Sequence, residues 1–327
     1  MKTTAEAIIG QDNLLKFFNK LAVLSGRKAV GGSFIILGPA GAGKETLANV
    51  LIAKLLCQDK PTARPCGECP ACVQLKAKVN GDVFWLSLSE DKKNISIEEI
   101  RGLLHSLSLS ALGQSYKVAV IDQAEKLSHQ AANALLKTLE EPSKKTVIVL
   151  LATALADLPK TVVSRSQVFA LRPLKPELIY DWLVARETKR SQAKILAALS
   201  LGWPGLAIKL SDEAAKADHL AAAEVFFNSL EQDLLARQAA LDALLNKNLT
   251  TEEILNIWQT AARDLLLAKL AQQQWLRYGN LIKDWQNKLN FSLAQVLAWY
   301  KSITQAKDYA AANVNPKLVL ENIITNL

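Results

Sequence analysis

One stretch of the chain, residues 34–46, constrains the fold more than any other. An apolar segment, Phe34–Leu37, runs into a glycine-rich turn, and a helical pattern follows at once. Glycines on both sides of a four-residue gap, followed by a lysine, are the frame of a phosphate-binding loop. In such a loop the backbone N–H groups, a helix N-terminus and the lysine face the phosphates. The candidate nucleotide-binding residues of this stretch are Gly38, Gly41, Gly43, Lys44 and Thr46.

The residue after the lysine departs from this pattern. A working loop has a hydroxyl there for Mg²⁺, whereas this chain has Glu45. A carboxylate a few ångströms from the phosphates costs about 1–4 kcal/mol in a partly screened site. Glu45 could instead act as a metal ligand, so both interpretations stay open. The sequence therefore predicts a degenerate site at which ATP binding is doubtful.

A second candidate position, Asp122, follows the four apolar residues at 118–121. An aspartate at the end of a buried strand holds Mg²⁺ through water in nucleotide sites of this kind, although it can also be a simple turn or capping residue. Hydrolysis usually requires an acid beside it, and Gln123 cannot accept a proton. We therefore predict loss of catalysis; the alternative is neutral drift in a working enzyme.

The four cysteines are clustered within sixteen residues, at Cys57, Cys66, Cys69 and Cys72. Four thiolates with two short gaps suit a tetrahedral Zn²⁺ ion that leaves no position open for water. We predict a structural zinc site that holds together an insert too small for its own core. A redox pair or spare thiols are the alternative.

Composition limits the possible classes of protein. The chain has 327 residues, half of them hydrophobic, and a net charge of +8. This charge is compatible with a nucleic-acid partner, but the basic residues form no long run. No apolar stretch reaches the roughly 18 residues that a membrane span needs, and the segment Met1–Glu6 lacks a signal-peptide core. We expect a cytoplasmic protein with no membrane contact.

Apolar strand patterns alternate with helical patterns over the first half of the chain, which predicts an α/β fold with a parallel sheet covered by helices on both faces. The predicted strands are Phe34–Leu37, Val83–Leu86, Lys117–Asp122, Thr146–Ala152 and Val168–Leu171. Ligands of such sheets bind beyond the carboxyl ends of the strands, so Asp122 and the loop could share one crevice. We predict three domains: a nucleotide-binding-like module at 1–172 with the cysteine insert at 57–72, a small helical lid at 173–210, and an all-α domain at 211–327.

The order of these features resembles the clamp-loader branch of the AAA+ superfamily, and within it the delta-prime subunits of bacterial DNA polymerase III. The most specific segment is Ala131–Pro142, with the sequence AANALLKTLEEP. Leu151-Ala152-Thr153 resembles the sensor strand of the family. Ser164-Arg165 matches the start of its Ser-Arg-Cys motif, with Ser166 in place of the cysteine. The tail from Asn313 to Glu321 is similar to the end of the family's collar domain.

The resemblance implies an AAA+ module, a lid and a collar that assemble with the delta and gamma/tau subunits into a hetero-pentamer. That complex opens the sliding clamp and places it on primed DNA. Delta-prime subunits act in it as a rigid stator that does not hydrolyse ATP, and Arg165 would be an arginine finger for a neighbouring subunit. Motor subunits carry a sensing arginine three residues after a lid glycine. Here Gly205 is followed by Leu206, Ala207 and Ile208, so that arginine is absent, which favours the stator over the motor subunit.

Two other functions stay open at this point. The chain could be a gamma/tau-like clamp-loader ATPase in which Glu45 ligates Mg²⁺, or a zinc-stapled DNA-binding module with a vestigial crevice. A lone arginine such as Arg165 is also commonly just a solvated surface residue. In the stator interpretation the chain has no ATPase activity of its own but is a subunit of a DNA-directed DNA polymerase, a nucleotidyltransferase.

Overall fold

The computed structural model describes residues 8–25, 31–60, 63–89, 91–109, 116–143, 145–279, 291–312 and 314–327. The segment Met1–Glu6 (used above to argue against a signal peptide) and Asn313 lie outside these residues. The chain forms two compact units. The first extends to Trp182 and includes Trp203–Gly205, and the second comprises Leu183–Gly202 and Leu206–Leu327. The three-domain division at residues 172 and 210 stays a prediction.

A five-stranded parallel sheet forms the centre of the first unit. Its strands are β1 Gly32–Leu37, β2 Val83–Leu86, β3 Lys117–Ile121, β4 Thr146–Ala152 and β5 Gln167–Ala170. They lie in the order β2-β3-β4-β1-β5, and each neighbouring pair is parallel. Strands β3 and β4 are buried along their whole length, as expected where helices cover both faces of a sheet. The predicted α/β fold, a parallel sheet with helices on both faces, is confirmed.

Helices precede, connect and follow these strands. They are α1 Asp12–Ser25, α2 Lys44–Leu56, α3 Pro70–Lys76, α4 Ile97–Ser108, α5 His129–Glu140, α6 Lys160–Val163 and α7 Pro176–Val184. Local chemistry fixes several of their ends. Ser96 and Glu99 form a capping box at the start of α4, as the sequence predicts, and the Ser128 hydroxyl caps α5. Pro142 follows the end of α5 closely, because proline cannot continue a helix.

Two apolar cores lie on opposite faces of the sheet. Phe34 and Ile36 of β1 belong to one core, together with Leu51 of α2. Ile35 and Leu37 belong to the other, which α4 and α5 complete. This division follows from the alternation of side chains along a strand. It fixes β1 from both sides and thereby fixes the loop that follows it.

The second unit is helical, and it contains no strand among the residues described there. Its helices are α8 Arg190–Leu199, α9 Pro204–Lys209 (which begins in the first unit), α10 Glu213–Ser229, α11 Leu234–Leu245, α12 Thr251–Lys269, α13 Leu293–Ala311 and α14 Pro316–Thr325. Aspartate, threonine or serine side chains cap α10, α11, α12 and α13. Within the described part of the chain, no helix has both the length and the hydrophobicity to cross a bilayer.

A polar network is buried in this second unit. The Asp264 carboxylate is fully buried and accepts hydrogen bonds from the backbone N–H groups of Arg277 and Tyr278, at 2.5 and 2.8 Å. The Tyr278 hydroxyl lies 2.9 Å from Nε2 of His219, and both side chains are buried. Such groups must be paired with one another, because an unpaired buried polar group is costly.

Candidate functional site

The glycine-rich loop joins β1 to α2 at the carboxyl edge of the sheet. Gly38 is buried, and a Cβ atom there would lie 2.9 Å from the Cβ atom of Ala42. Gly41 and Gly43 have φ angles of 75° and 91°, which are left-handed values that other residues adopt at a cost. Gly43 caps α2, and Lys44 is its first residue. The backbone at the start of α2 thus has the form of an anion-binding helix N-terminus.

Lys44 and the Gly41 carbonyl of this loop form hydrogen bonds with other groups of the same chain. Nζ of Lys44 donates to the carbonyl oxygens of Gly38 and Pro39, at 2.5 and 3.1 Å. The backbone N–H of Gly205 donates to the Gly41 carbonyl at 2.9 Å. A Cβ atom on residue 205 would lie only 2.7 Å from that oxygen, so only glycine allows this approach. The ammonium that would meet a phosphate is therefore held by the loop's own carbonyls.

Glu45 and Thr46 lie in the first turn of α2, Glu45 exposed and Thr46 half-buried. A carboxylate is stabilised at this end of a helix by the helix dipole. That stabilisation explains Glu45 without a metal ion, and the same charge opposes an incoming phosphate.

Asp122 follows β3 at the same carboxyl edge as the loop. It is half-buried, and its backbone N–H donates to the Leu86 carbonyl at 2.8 Å. In the sheet, β4 lies between β3 and β1. Asp122 is therefore separated from the phosphate loop by the width of one intervening strand. Its neighbour Gln123 is exposed and has a left-handed φ of 50°.

Glu125 is a residue of this region that the sequence analysis missed. Its Oε1 accepts a hydrogen bond of 2.9 Å from Oγ1 of Thr153, the residue after β4. Its Oε2 is buried and has no hydrogen-bond partner among the described residues. The only signal in the sequence was an acid three residues after Asp122, within the short 3₁₀ turn Ala124–Lys126.

Arg165 lies at the other end of the sheet. It precedes β5, whose first residue, Gln167, is level with Phe34 of the parallel strand β1. Gly38 is four residues beyond Phe34, about 13 Å along the strand direction. The structure therefore does not bring Arg165 together with the loop of its own chain.

The Arg165 guanidinium is held at this position by neighbouring groups. Its Nε and Nη2 contact Oε1 of Glu140, at 2.6 and 2.5 Å. Its Nη1 donates to the Thr161 carbonyl and to Oγ of Ser164, at 3.0 and 3.1 Å. The side chain still keeps a third of its surface exposed.

Ser166, which stands where the family has a cysteine, has polar partners of its own. Its Oγ donates to the Val162 carbonyl at 3.0 Å and lies 2.8 Å from Oγ of Ser33 in β1. Because the Ser166 hydroxyl donates its proton to the Val162 carbonyl, Oγ of Ser33 is the donor and Oγ of Ser166 the acceptor in the second hydrogen bond. The serine is accommodated here because β1 supplies a hydroxyl to match it.

The four cysteines converge on one point. Cys57 follows α2, Cys69 caps α3 and Cys72 lies within α3. All four Sγ atoms lie within 4.8 Å of one another, with closest approaches of 3.6 to 4.0 Å. Four sulfurs at about 2.3 Å from a tetrahedral ion are about 3.8 Å apart, so the set fits such an ion.

Backbone donors also favour thiolates in this cluster. The N–H groups of Cys66 and Cys69 donate to Sγ of Cys57 and Cys66, at 3.4 and 3.3 Å. Burial opposes ionisation of Cys69, but backbone donors, including the N–H of Gln58, outweigh it and lower its pKa to about 7. Burial raises the pKa of Cys57 and Cys72. The convergence of the four sulfurs shows that the cysteines could hold a metal ion, and such an ion would deprotonate the two buried thiols.

Comparison with known proteins finds relatives among the subunits of DNA polymerase III. The family described as "DNA polymerase III, delta subunit" matches residues 11–175. The chain is 34% identical to DNA polymerase III subunit delta' of Pseudomonas aeruginosa over 220 residues, which cover 66% of this chain and 67% of that protein. It is also 34% identical to the gamma subunit of Buchnera aphidicola subsp. Acyrthosiphon pisum over 176 residues, 54% of this chain and 47% of that protein.

Among solved structures, the chain is similar to a gamma-subunit-related protein of Thermotoga maritima. The identity is 20% and the TM-score is 0.48, over 94% of this chain and 97% of that chain.

Proposed function

Because the chain belongs to the delta-prime family of DNA polymerase III clamp-loader subunits, we propose that it is the stator of a clamp loader and does not hydrolyse ATP itself. In this proposal it assembles with delta and gamma/tau subunits into a hetero-pentamer in the cytoplasm. The complex loads the sliding clamp on primed DNA, and this chain supplies Arg165 to the ATP site of a neighbouring subunit.

The observation that carries the proposal is the state of the phosphate loop. Lys44 is bonded to Gly38 and Pro39 of the loop, and Glu45 adds a negative charge beside it. Binding a nucleotide would require Lys44 to leave these carbonyls. Turnover would further require an acid beside Asp122, where Gln123 lies.

The position of Arg165 supports a role towards a neighbour. It is exposed and lies at the amino end of β5, away from the loop of its own chain. An arginine that faces solvent on a rigid support can contact a phosphate only if another subunit brings that phosphate to it.

We further propose that the four cysteines bind a structural Zn²⁺ ion. Four sulfur ligands fill a tetrahedral shell, so such an ion would stabilise the insert and would have no part in chemistry.

The test is a reconstituted complex of this chain with gamma/tau and delta. We expect Arg165→Ala to lower DNA-stimulated ATP turnover about tenfold, because an arginine finger stabilises the charge of the transition state. Assembly, followed by size-exclusion chromatography, should be unchanged. Arg190→Ala, an exposed arginine at the start of α8, is the control. Unchanged turnover with Arg165→Ala would reject this role.

A second candidate function is supported by the retained loop glycines, Lys44 and Asp122 at one edge of the sheet. In this alternative the chain is a gamma/tau-like ATPase with Glu45 as a metal ligand. Purified chain would then hydrolyse ATP well above background, and Lys44→Ala would abolish that activity. The stator proposal expects no hydrolysis by the isolated chain.

A further inference from the structure

Arg165 is an exposed side chain at the amino edge of β5 that several polar partners anchor. A guanidinium has five N–H donors. Three of them donate hydrogen bonds to Glu140, Thr161 and Ser164, at 2.6, 3.0 and 3.1 Å. The third nitrogen, Nη2, lies 2.5 Å from the Glu140 oxygen that Nε contacts and forms an ion pair with it.

The main anchor, Glu140, is the last residue of α5. Leu135 and Leu139 of the same helix are buried in the core on that face of the sheet, so the end of the helix is fixed by packing. Nε and Nη2 of Arg165 converge on a single oxygen of the Glu140 carboxylate. Charge-assisted contacts of this kind are short and strongly directional.

From this geometry we infer that Glu140 is a positioning residue for Arg165. The inference rests on the proposed role of Arg165 towards a neighbouring subunit. A free arginine side chain samples many rotamers and loses that freedom when it binds a phosphate. Glu140 removes most of this freedom beforehand and holds the guanidinium in one orientation.

The same contact could in principle act in the opposite sense. A carboxylate that competes with phosphate for the guanidinium would hold Arg165 back. Removal of Glu140 would then raise turnover instead of lowering it, so the sign of the effect separates the two roles. The geometry favours positioning, because a third of the Arg165 side chain is exposed and can meet a phosphate while Nε and Nη1 keep their hydrogen bonds.

The experiment uses the complex reconstituted with gamma/tau and delta, and measures kcat and KM for DNA-stimulated ATP hydrolysis. We expect Glu140→Gln, which keeps the shape of the side chain and removes its charge, to lower kcat about three- to tenfold while KM for ATP stays unchanged. Glu140→Asp keeps the charge with a shorter reach and should restore part of the loss. Glu141→Gln, at the neighbouring exposed position, is the matched control and should have no effect.

A double variant tests whether Glu140 acts through Arg165. In the Arg165→Ala background, Glu140→Gln should cause no further loss. Denaturant unfolding of each variant shows whether a lost kcat reflects a lost fold. The inference is overturned if Glu140→Gln leaves kcat unchanged or raises it, or if its loss persists without Arg165. If Arg165→Ala itself has no effect, the proposed function fails along with the inference.

Discussion

At the scale of single residues, Gly43 decides how the phosphate loop passes into α2. Its φ and ψ of 91° and 22° are left-handed, and it is the residue that caps the helix. Apart from the adjacent residues and the helix's own backbone, no described atom lies within 4 Å of a Cβ built at Gly43 or at Gly102 within α4. If the two substitutions to alanine change stability differently, the difference must come from backbone conformation, because neither added Cβ atom would cause a clash.

This contrast gives a test with opposite signs. We expect Gly43→Ala to lower the free energy of unfolding by about 1 kcal/mol, because alanine is strained at left-handed φ. Gly102→Ala should raise it by about 0.5–1 kcal/mol, because glycine is a poor residue inside a helix. Urea denaturation of both variants measures the difference. Effects of the same sign would show that the loop does not hold this conformation in solution.

At the scale of elements, the cysteine insert depends on one short helix, α3. Helix α3 has only seven residues, too few to be stable alone. Two of the four cysteines, Cys69 and Cys72, lie at its start, and Cys57 ties it to the end of α2. A metal ion that joins these sulfurs would supply the stability that so short a helix lacks.

Metal removal tests this directly. We expect one Zn²⁺ per chain, and a Co²⁺ form with the absorption of a tetrahedral thiolate site. Because the chain has only four cysteines, a strong chelator should expose four reactive thiols, and proteolysis should then cut within residues 57–76. The helical second unit serves as the internal control in the same digest. The prediction would be contradicted if the protein as purified, before any chelator is added, contained no metal and had four freely reactive thiols.

At the scale of the whole molecule, the buried pair of His219 and Tyr278 links stability to pH. Burial lowers the pKa of His219 to about 4, with Lys209 acting in the same direction and Glu253 against it. Burial also raises the pKa of Tyr278, so its hydroxyl keeps its proton and can donate to the neutral imidazole. In the unfolded chain the histidine titrates near 6.5.

The sign of the pH dependence follows from these two pKa values. Between pH 6.5 and about 4 the unfolded chain binds a proton that the folded chain does not. The contribution of His219 is therefore fully present above pH 6.5 and falls by about 3 kcal/mol on acidification to pH 4. We expect His219→Gln to remove this part of the pH dependence, measured by urea unfolding at several pH values. His105→Gln, at an exposed position, should leave the curve unchanged.

Much of this protein could be read from local patterns in its sequence. The predicted strand Thr146–Ala152 has its observed bounds, and the predicted strand Lys117–Asp122 is observed one residue shorter, as Lys117–Ile121. Ser96 with Glu99 marked the start of α4. The cysteine spacing predicted a cluster that the structure does bring together. These features depend on residues a few positions apart, so short-range geometry is enough to specify them.

Only the tertiary structure decided the contacts that give these residues their roles. Arg165 meets Glu140, 25 residues before it, because the connections around β4 and β5 return to the same edge of the sheet. Ser33 meets Ser166 because β5 lies beside β1 and not beside β4. The order of strands depends on how whole helices pack on the sheet, and no local pattern carries that information.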